Sequence, residues 1–166
     1  PGTATFAING VVQAMPYSQN YWAGEIISIA ANVQPNWLFS KWRTYSNSVL
    51  PNANSITATF VANASDSCVL VTDFLQAFIS GNDTICDNGS MDAKVRVYFS
   101  GATPPFTFSY AINGVSQPST ITTLNPYVIY TKEEGLYTLT SFANGLGLIS
   151  GSALVTVFAS PVANFE

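Results

Sequence analysis

Histidine is absent from this 166-residue sequence, cysteine occurs twice, and charged side chains make up only 8% of the chain. Without histidine the commonest general base and metal ligand is missing. No serine or cysteine relay and no acidic pair brought together by spacing takes its place, so the chain reads as a non-enzyme. Gly145, Gly147 and Gly151 miss the dinucleotide-binding spacing, and no helical segment follows them. Two cysteines cannot supply the four ligands that zinc requires. Five basic residues stand against nine acidic ones, giving a net charge of −4. The balance is −1 for residues 1–78, where Lys41 and Arg43 meet Glu25, Asp66 and Asp73, and −3 for the rest. So few scattered cations cannot line a phosphate backbone, which argues against nucleic acid as a partner. Apolar residues are interrupted every few positions, and no run approaches the roughly 20 needed to cross a bilayer as a helix. Direct membrane insertion is therefore not expected, and a signal peptide or anchor is expected elsewhere in the parent chain.

What is present is apolar and aromatic: hydrophobic residues are 48% of the chain and aromatics 13%. That composition excludes disorder. The apolar residues recur with period two. Val95, Val97 and Phe99 alternate with Lys94, Arg96 and Tyr98, and Phe106, Phe108, Tyr110 and Ile112 alternate with Thr107, Ser109 and Ala111, as in half-buried antiparallel strands. Further strands are expected near residues 3–8, 11–15, 25–31, 37–43, 55–61, 67–74, 126–131, 136–143 and 152–158. No segment keeps a helical period, so the fold class is all-β. Asn9-Gly10 and Asn113-Gly114, each within an Ala-Ile-Asn-Gly-Val string, predict tight type I′ hairpins. The flanks of the two strings do not match, and the shared string reads as convergence rather than duplication.

The length suits two small modules. Their boundary is expected near residues 78–82, where an apolar strand gives way to Ser80-Gly81-Asn82-Asp83. This places an aromatic-rich β module at 1–78, a second antiparallel β module at 79–160, and the start of a linker or next domain at 161–166. A surface rich in Thr, Ser and Asn and poor in Lys and Glu favours an exported protein.

Four groups of residues carry candidate chemistry. Cys68 and Cys86 lie at the ends of the two modules and would form a disulfide in an oxidising compartment if their Cα atoms come within about 4.4–6.8 Å; otherwise they are two separate thiols. Asp83, Asp87 and Asp92, with Asn88 between them and Asp66 and Asp73 from the first module, are oxygen donors that could hold calcium, although their spacing fits no EF-hand loop. Solvated turn residues are the plainer reading, and no cofactor is otherwise implied. Tyr17, Tyr21, Trp22, Trp37, Trp42 and Tyr45 form a dense aromatic set of the kind that stacks on sugars, with Trp22, Trp37, Trp42 and Tyr45 as the glycan-binding candidates. Trp37 and Trp42 have opposite parity on one strand, so one of them is a candidate for exposure unless a bulge shifts the phase. An internal Lys–Asn isopeptide bond would require Lys41, Lys94 or Lys132 to be buried beside Asn and a carboxyl.

Residues 81–158 resemble the immunoglobulin-like repeats of large surface proteins exported by Bacteroidetes, including gliding-motility adhesins. The matching blocks are Asp83-Thr84-Ile85-Cys86-Asp87-Asn88-Gly89-Ser90, Gly101-Ala102-Thr103-Pro104-Pro105-Phe106-Thr107-Phe108-Ser109-Tyr110, Gly135-Leu136-Tyr137-Thr138-Leu139-Thr140-Ser141 and Ser150-Gly151-Ser152-Ala153-Leu154-Val155-Thr156-Val157. Such repeats usually carry a second cysteine before the last block, and residues 143–149 have none. Residues 2–74 look like the divergent internalin-type repeats found beside them, through Gly2-Thr3-Ala4-Thr5, the Tyr17 to Trp22 segment, Phe39-Ser40-Lys41-Trp42 and Ile56-Thr57-Ala58-Thr59-Phe60. Pro161-Val162-Ala163-Asn164-Phe165 is similar to the opening of a polycystic-kidney-disease-type domain. The resemblance implies an immunoglobulin-like β-sandwich for the second module, a bacterial cell-surface location, and a structural or adhesive role among neighbouring β domains of the same chain. Asp83-Thr84-Ile85 looks like the short O-glycosylation motif of that phylum, which would place a sugar on Thr84. The rival expectation is a carbohydrate-binding module of a secreted multidomain enzyme, with surface polysaccharide as partner. Capture of a neighbouring chain along an open sheet edge is a third.

Overall fold

The computed structural model describes residues 5–14, 16–45, 49–50, 52–63, 67–87 and 91–160. The expected linker at 161–166, and Asp66 and Asn88 of the acidic set, lie outside them. The described chain is all-β and divides into two compact units, residues 1–73 and 74–166.

In the first unit β1 (Thr5–Ile8) and β2 (Val11–Gln13) form a hairpin, followed by β3 (Glu25–Asn32), β4 (Trp37–Arg43), β5 (Val49–Leu50), β6 (Thr57–Ala62) and β7 (Val69–Phe74). Five of them make an antiparallel sheet in the order β2-β1-β3-β6-β5, while β4 pairs with β7. The hairpin turn is as expected, with φ 49° at Asn9 and 80° at Gly10, the positive pair a type I′ turn requires. Asn9 also docks the hairpin on β3: its N–H donates to the Ser28 carbonyl and its Oδ1 accepts from the Ser28 N–H, each at 2.9 Å. Alternation along β3 buries Ile27 and Ile29, which meet Ala58 and Trp42 in a small core.

The second unit holds β8 (Gln76–Ser80), β9 (Asp83–Cys86), β10 (Ala93–Ser100), β11 (Phe106–Ile112), β12 (Val115–Ser116), β13 (Thr120–Thr122), β14 (Tyr127–Thr131), β15 (Gly135–Phe142) and β16 (Leu148–Phe158). One sheet runs β14-β10-β8; the other runs β12-β11-β15-β16-β9, with β13 also on β11. This is an all-β, sandwich-type arrangement. Ala93, Val95, Val97 and Phe99 of β10 face inward at every second position. A register shift between Ser109 and Tyr110, opposite β15, changes the phase of that strand, so Phe142 points inward together with Tyr137 and Leu139. Phe99 stacks on Phe106 at 4.6 Å and on Phe142 at 5.3 Å. Such ring pairs add about 0.5–1.5 kcal/mol each beyond burial in a core that includes no cystine. The Tyr137 hydroxyl donates to the Glu133 carbonyl at 2.9 Å and pairs with Thr131 Oγ1 at 2.7 Å, the tyrosine corner of this fold. Asn125 caps the open end of β10, accepting from Phe99 N–H at 3.0 Å and donating to Phe99 O at 2.7 Å.

Strand β16 serves both sheets. Its residues 148–151 pair in parallel with β8, residues 152–155 pair with β15, and residues 155–158 pair in parallel with β9. The switch falls at Gly151, whose φ of +81° and whose approach to the Ile79 carbonyl leave no room for a side chain.

Two expectations need correction. The boundary lies at residues 73/74, not 78/79, because Ala77 and Ile79 of β8 are buried in the second unit's core. Asp83 sits in strand β9 rather than in a loop: Ile85 alternates inward between exposed Thr84 and Cys86, and short parallel pairing holds the strand.

Candidate binding cleft of the first unit

The first unit contains a cleft of about 660 Å³ bounded by the inner face of β1, β3 and β6 and by the segment before β3. Phe6 and Tyr17 meet edge to face at 6.1 Å on one wall. Trp42 lies at the floor, only 3% exposed, with its Nε1 donating to the Ser55 carbonyl at 3.1 Å. The indole N–H is thus satisfied, and the ring belongs to the buried core beneath the cleft. Tyr21 lines the cleft, and its neighbour Trp22 stands outward, 86% exposed.

A chain of hydroxyls and amides runs along the same segment. The Tyr17 hydroxyl donates to Gln19 Oε1 and interacts with the Tyr21 hydroxyl. Burial, then the Tyr17 hydroxyl, then the charge of Glu25 push the Tyr21 phenol up to about 12, so it stays neutral at physiological pH. Glu25 closes the turn that positions Trp22, accepting from the Trp22 N–H at 3.1 Å. None of the described lining residues is charged.

The aromatic set is divided by this geometry. Trp22 and Tyr45 are exposed, Tyr45 beneath the Arg43 guanidinium at 5.9 Å. Neither Trp37 nor Trp42 is exposed; of the two alternatives left by their opposite parity, the change of phase is the one that holds. Trp37 and Phe39 face inward, the phase shifts across Ser40 and Lys41, and Trp42 then faces inward again. Trp37 is half-buried, and Tyr45 does not line the cleft. Tyr17 and Tyr21 of the aromatic set line the cleft, and Gln19 and Asn20 between them carry no sequence signal beyond lying in that uncharged, aromatic segment.

Of the remaining candidates, Cys68 also lines the cleft. Cys68 packs on the first unit's core and Cys86 is exposed at the end of β9. The Asp83 carboxylate accepts from the backbone N–H of Lys94 and of Thr84, each at 2.9 Å, and these bonds hold its pKa below the usual range. Asp87 accepts from Ser160 N–H at 2.7 Å, and the Ser160 side chain and then that N–H hold its pKa below the usual range. Asp92 faces Lys132 at 3.8 Å. Among the described residues no three acidic, cysteine or histidine side chains gather as a metal site. Thr84 is exposed on an outer strand. Lys41, Lys94 and Lys132 are all exposed, which removes the burial an isopeptide bond requires.

No protein-family model matches this chain, and no curated protein matches it. The likeness to bacterial surface repeats therefore rests on the sequence blocks alone. In the second unit they fall on β9, on the approach to and first part of β11, on β15 and on β16.

Proposed function

We propose that this chain is a non-enzymatic structural and adhesive segment of a bacterial cell-surface protein, with the second unit as a stiff spacer and the first as a contact module. The observation that carries the reading is the pairing of entry and exit strands in the second unit. The chain enters through β8 and β9 and leaves through β16, and β16 runs parallel to both. Tension between the ends of the unit then pulls parallel neighbours in opposite directions. All the ladder hydrogen bonds are loaded together instead of being peeled one by one, and forced unfolding is governed by that barrier. A sugar on exposed Thr84 would lie on the same outer strand.

The test is single-molecule pulling of the intact chain by its ends. The second unit is expected to unfold in one step at higher force than the first. Beyond Val155, β16 pairs only with β9, so Thr156→Pro should lower that force, whereas Ile121→Pro on β13, outside the line of tension, should not. Equal forces for the two variants, or a second unit weaker than the first, would sink the reading. A carbohydrate-binding module of a secreted multidomain enzyme is the second reading, favoured by the exposure of Trp22 beside the cleft.

A further inference from the structure

The cleft of the first unit has a chemical character that narrows its occupant. At about 660 Å³ it falls within the range of small-molecule sites, roughly 300–1,000 Å³. Its walls are the rings of Phe6, Tyr17, Tyr21 and Trp42, and its rim carries the Gln19 and Asn20 amides, both exposed. A charged ligand entering it would lose hydration without meeting an opposite charge among the described lining residues. A purely apolar ligand would bury the Tyr17–Tyr21–Gln19 network against a surface that cannot bond to it. A pyranose ring meets both demands: its C–H faces pack on aromatic rings, and its hydroxyls donate and accept in turn.

We propose that this cleft binds a residue of a neutral polysaccharide, packed against the half-buried Tyr17 and Tyr21 rings above the buried Trp42 floor, with Trp22 outside as the platform for the adjoining sugar. Gln19 and Asn20 bond the ring hydroxyls at the rim. Trp22 lies between Tyr21 and Ala23, both lining residues, so one short segment presents an inner and an outer ring to successive units of the polymer. The site deepens the adhesive part of the function proposed above by naming what is adhered to. Its failure would leave the pulling experiment on the second unit unaffected, because every residue concerned belongs to the first.

The test is titration of the whole chain with neutral hexaoses (cello-, xylo-, manno- and laminari-) and with oligogalacturonate, followed by tryptophan emission and by affinity electrophoresis in the parent polymers. At least one neutral hexaose should bind and shift the emission, and oligogalacturonate should bind at least tenfold more weakly. Tyr17→Phe keeps the ring but loses the hydroxyl and should weaken binding about three- to tenfold. Trp22→Ala changes an exposed residue and should reduce retardation in the polymer gel while leaving a disaccharide's affinity within about twofold. Circular dichroism verifies that both variants remain folded. No response to any neutral hexaose, equal affinity for the acidic probe, or wild-type binding by both variants would overturn the proposal.

Discussion

Replacing Gly151 with alanine tests the sandwich at the point where β16 changes sheets. The residue has φ +81°, and a Cβ built there lies 2.2 Å from the Ile79 carbonyl oxygen and 2.7 Å from the Phe78 ring. The left-handed backbone alone costs an L-residue about 1–2 kcal/mol. The ring can rotate away, but the carbonyl belongs to β8, and moving it disturbs the parallel pair Gly151–Ile79. Loss of one or two such bonds adds about 0.5–1.5 kcal/mol each. The sum is about 2–4 kcal/mol, a fall in melting temperature of roughly 10–25 °C for a unit of this size. Gly114 is the control. Its φ is +80°, yet nothing lies within 4 Å of its Cβ position, so Gly114→Ala should cost only the conformational part, about 1–2 kcal/mol or 4–16 °C. Melting is followed by far-ultraviolet circular dichroism. If Gly151→Ala melts within a few degrees of Gly114→Ala, the strand switch does not depend on this close approach, and the account of β16 is wrong.

Two further outcomes concern the tyrosines. Tyr137→Phe removes the hydroxyl of a fully buried side chain, leaving the Glu133 carbonyl and Thr131 Oγ1 without that bond, and should destabilise the second unit by about 1–3 kcal/mol in denaturant titration. Tyr21, Tyr110 and Tyr137 all have pKa values raised in the folded chain, chiefly by burial. Each favours its neutral form when folded, so its contribution is complete below the unfolded value of 10.0 and is lost as pH rises above it, through about 12 for Tyr21. Stability measured against pH should therefore fall on the alkaline side, and Tyr21→Phe should flatten that fall.

The long strands were legible because apolar and aromatic residues dominate them: β4 and β11 occupy the expected residues although burial changes phase along each, and β10, whose alternation is uninterrupted, differs by one residue at each end. Both Asn-Gly hairpins were legible because only a few residue types take paired positive φ. What each asparagine does next was not. Asn113 meets Leu136 just as Asn9 meets Ser28, through a backbone donor and a side-chain acceptor, and that partner is set by tertiary neighbours far along the chain. Strands β5, β9 and β13 were missed for a related reason. They are short, and pairing rather than pattern makes them strands. The same limit applies to the cleft. Aromatic content announced a site somewhere between Tyr17 and Tyr45, but the phase shift at Ser40 and Lys41 decided that Trp42 is its floor rather than its face.

The two units differ most in their cores, and the difference can be read optically. Seventeen described residues are buried in the core of residues 74–166, whereas four are buried in that of residues 1–73. Each large apolar side chain taken fully from water contributes about 1.5–3 kcal/mol, while the entropy of ordering grows with the number of residues fixed. The first unit therefore has the smaller margin, as expected of a unit that keeps an aromatic cleft open instead of filling it. All three tryptophans, Trp22, Trp37 and Trp42, lie in the first unit. Tryptophan emission reports that unit alone, and circular dichroism reports both. In a urea titration the emission transition should precede the main dichroism transition. Gly151→Ala should move the dichroism transition and leave the emission midpoint in place. A neutral hexaose that occupies the cleft should do the reverse, raising the emission midpoint by mass action on the first unit only. Coincident transitions in the wild-type chain would show that the two cores unfold as one, and the division of labour between a spacer unit and a contact unit would lose its thermodynamic basis.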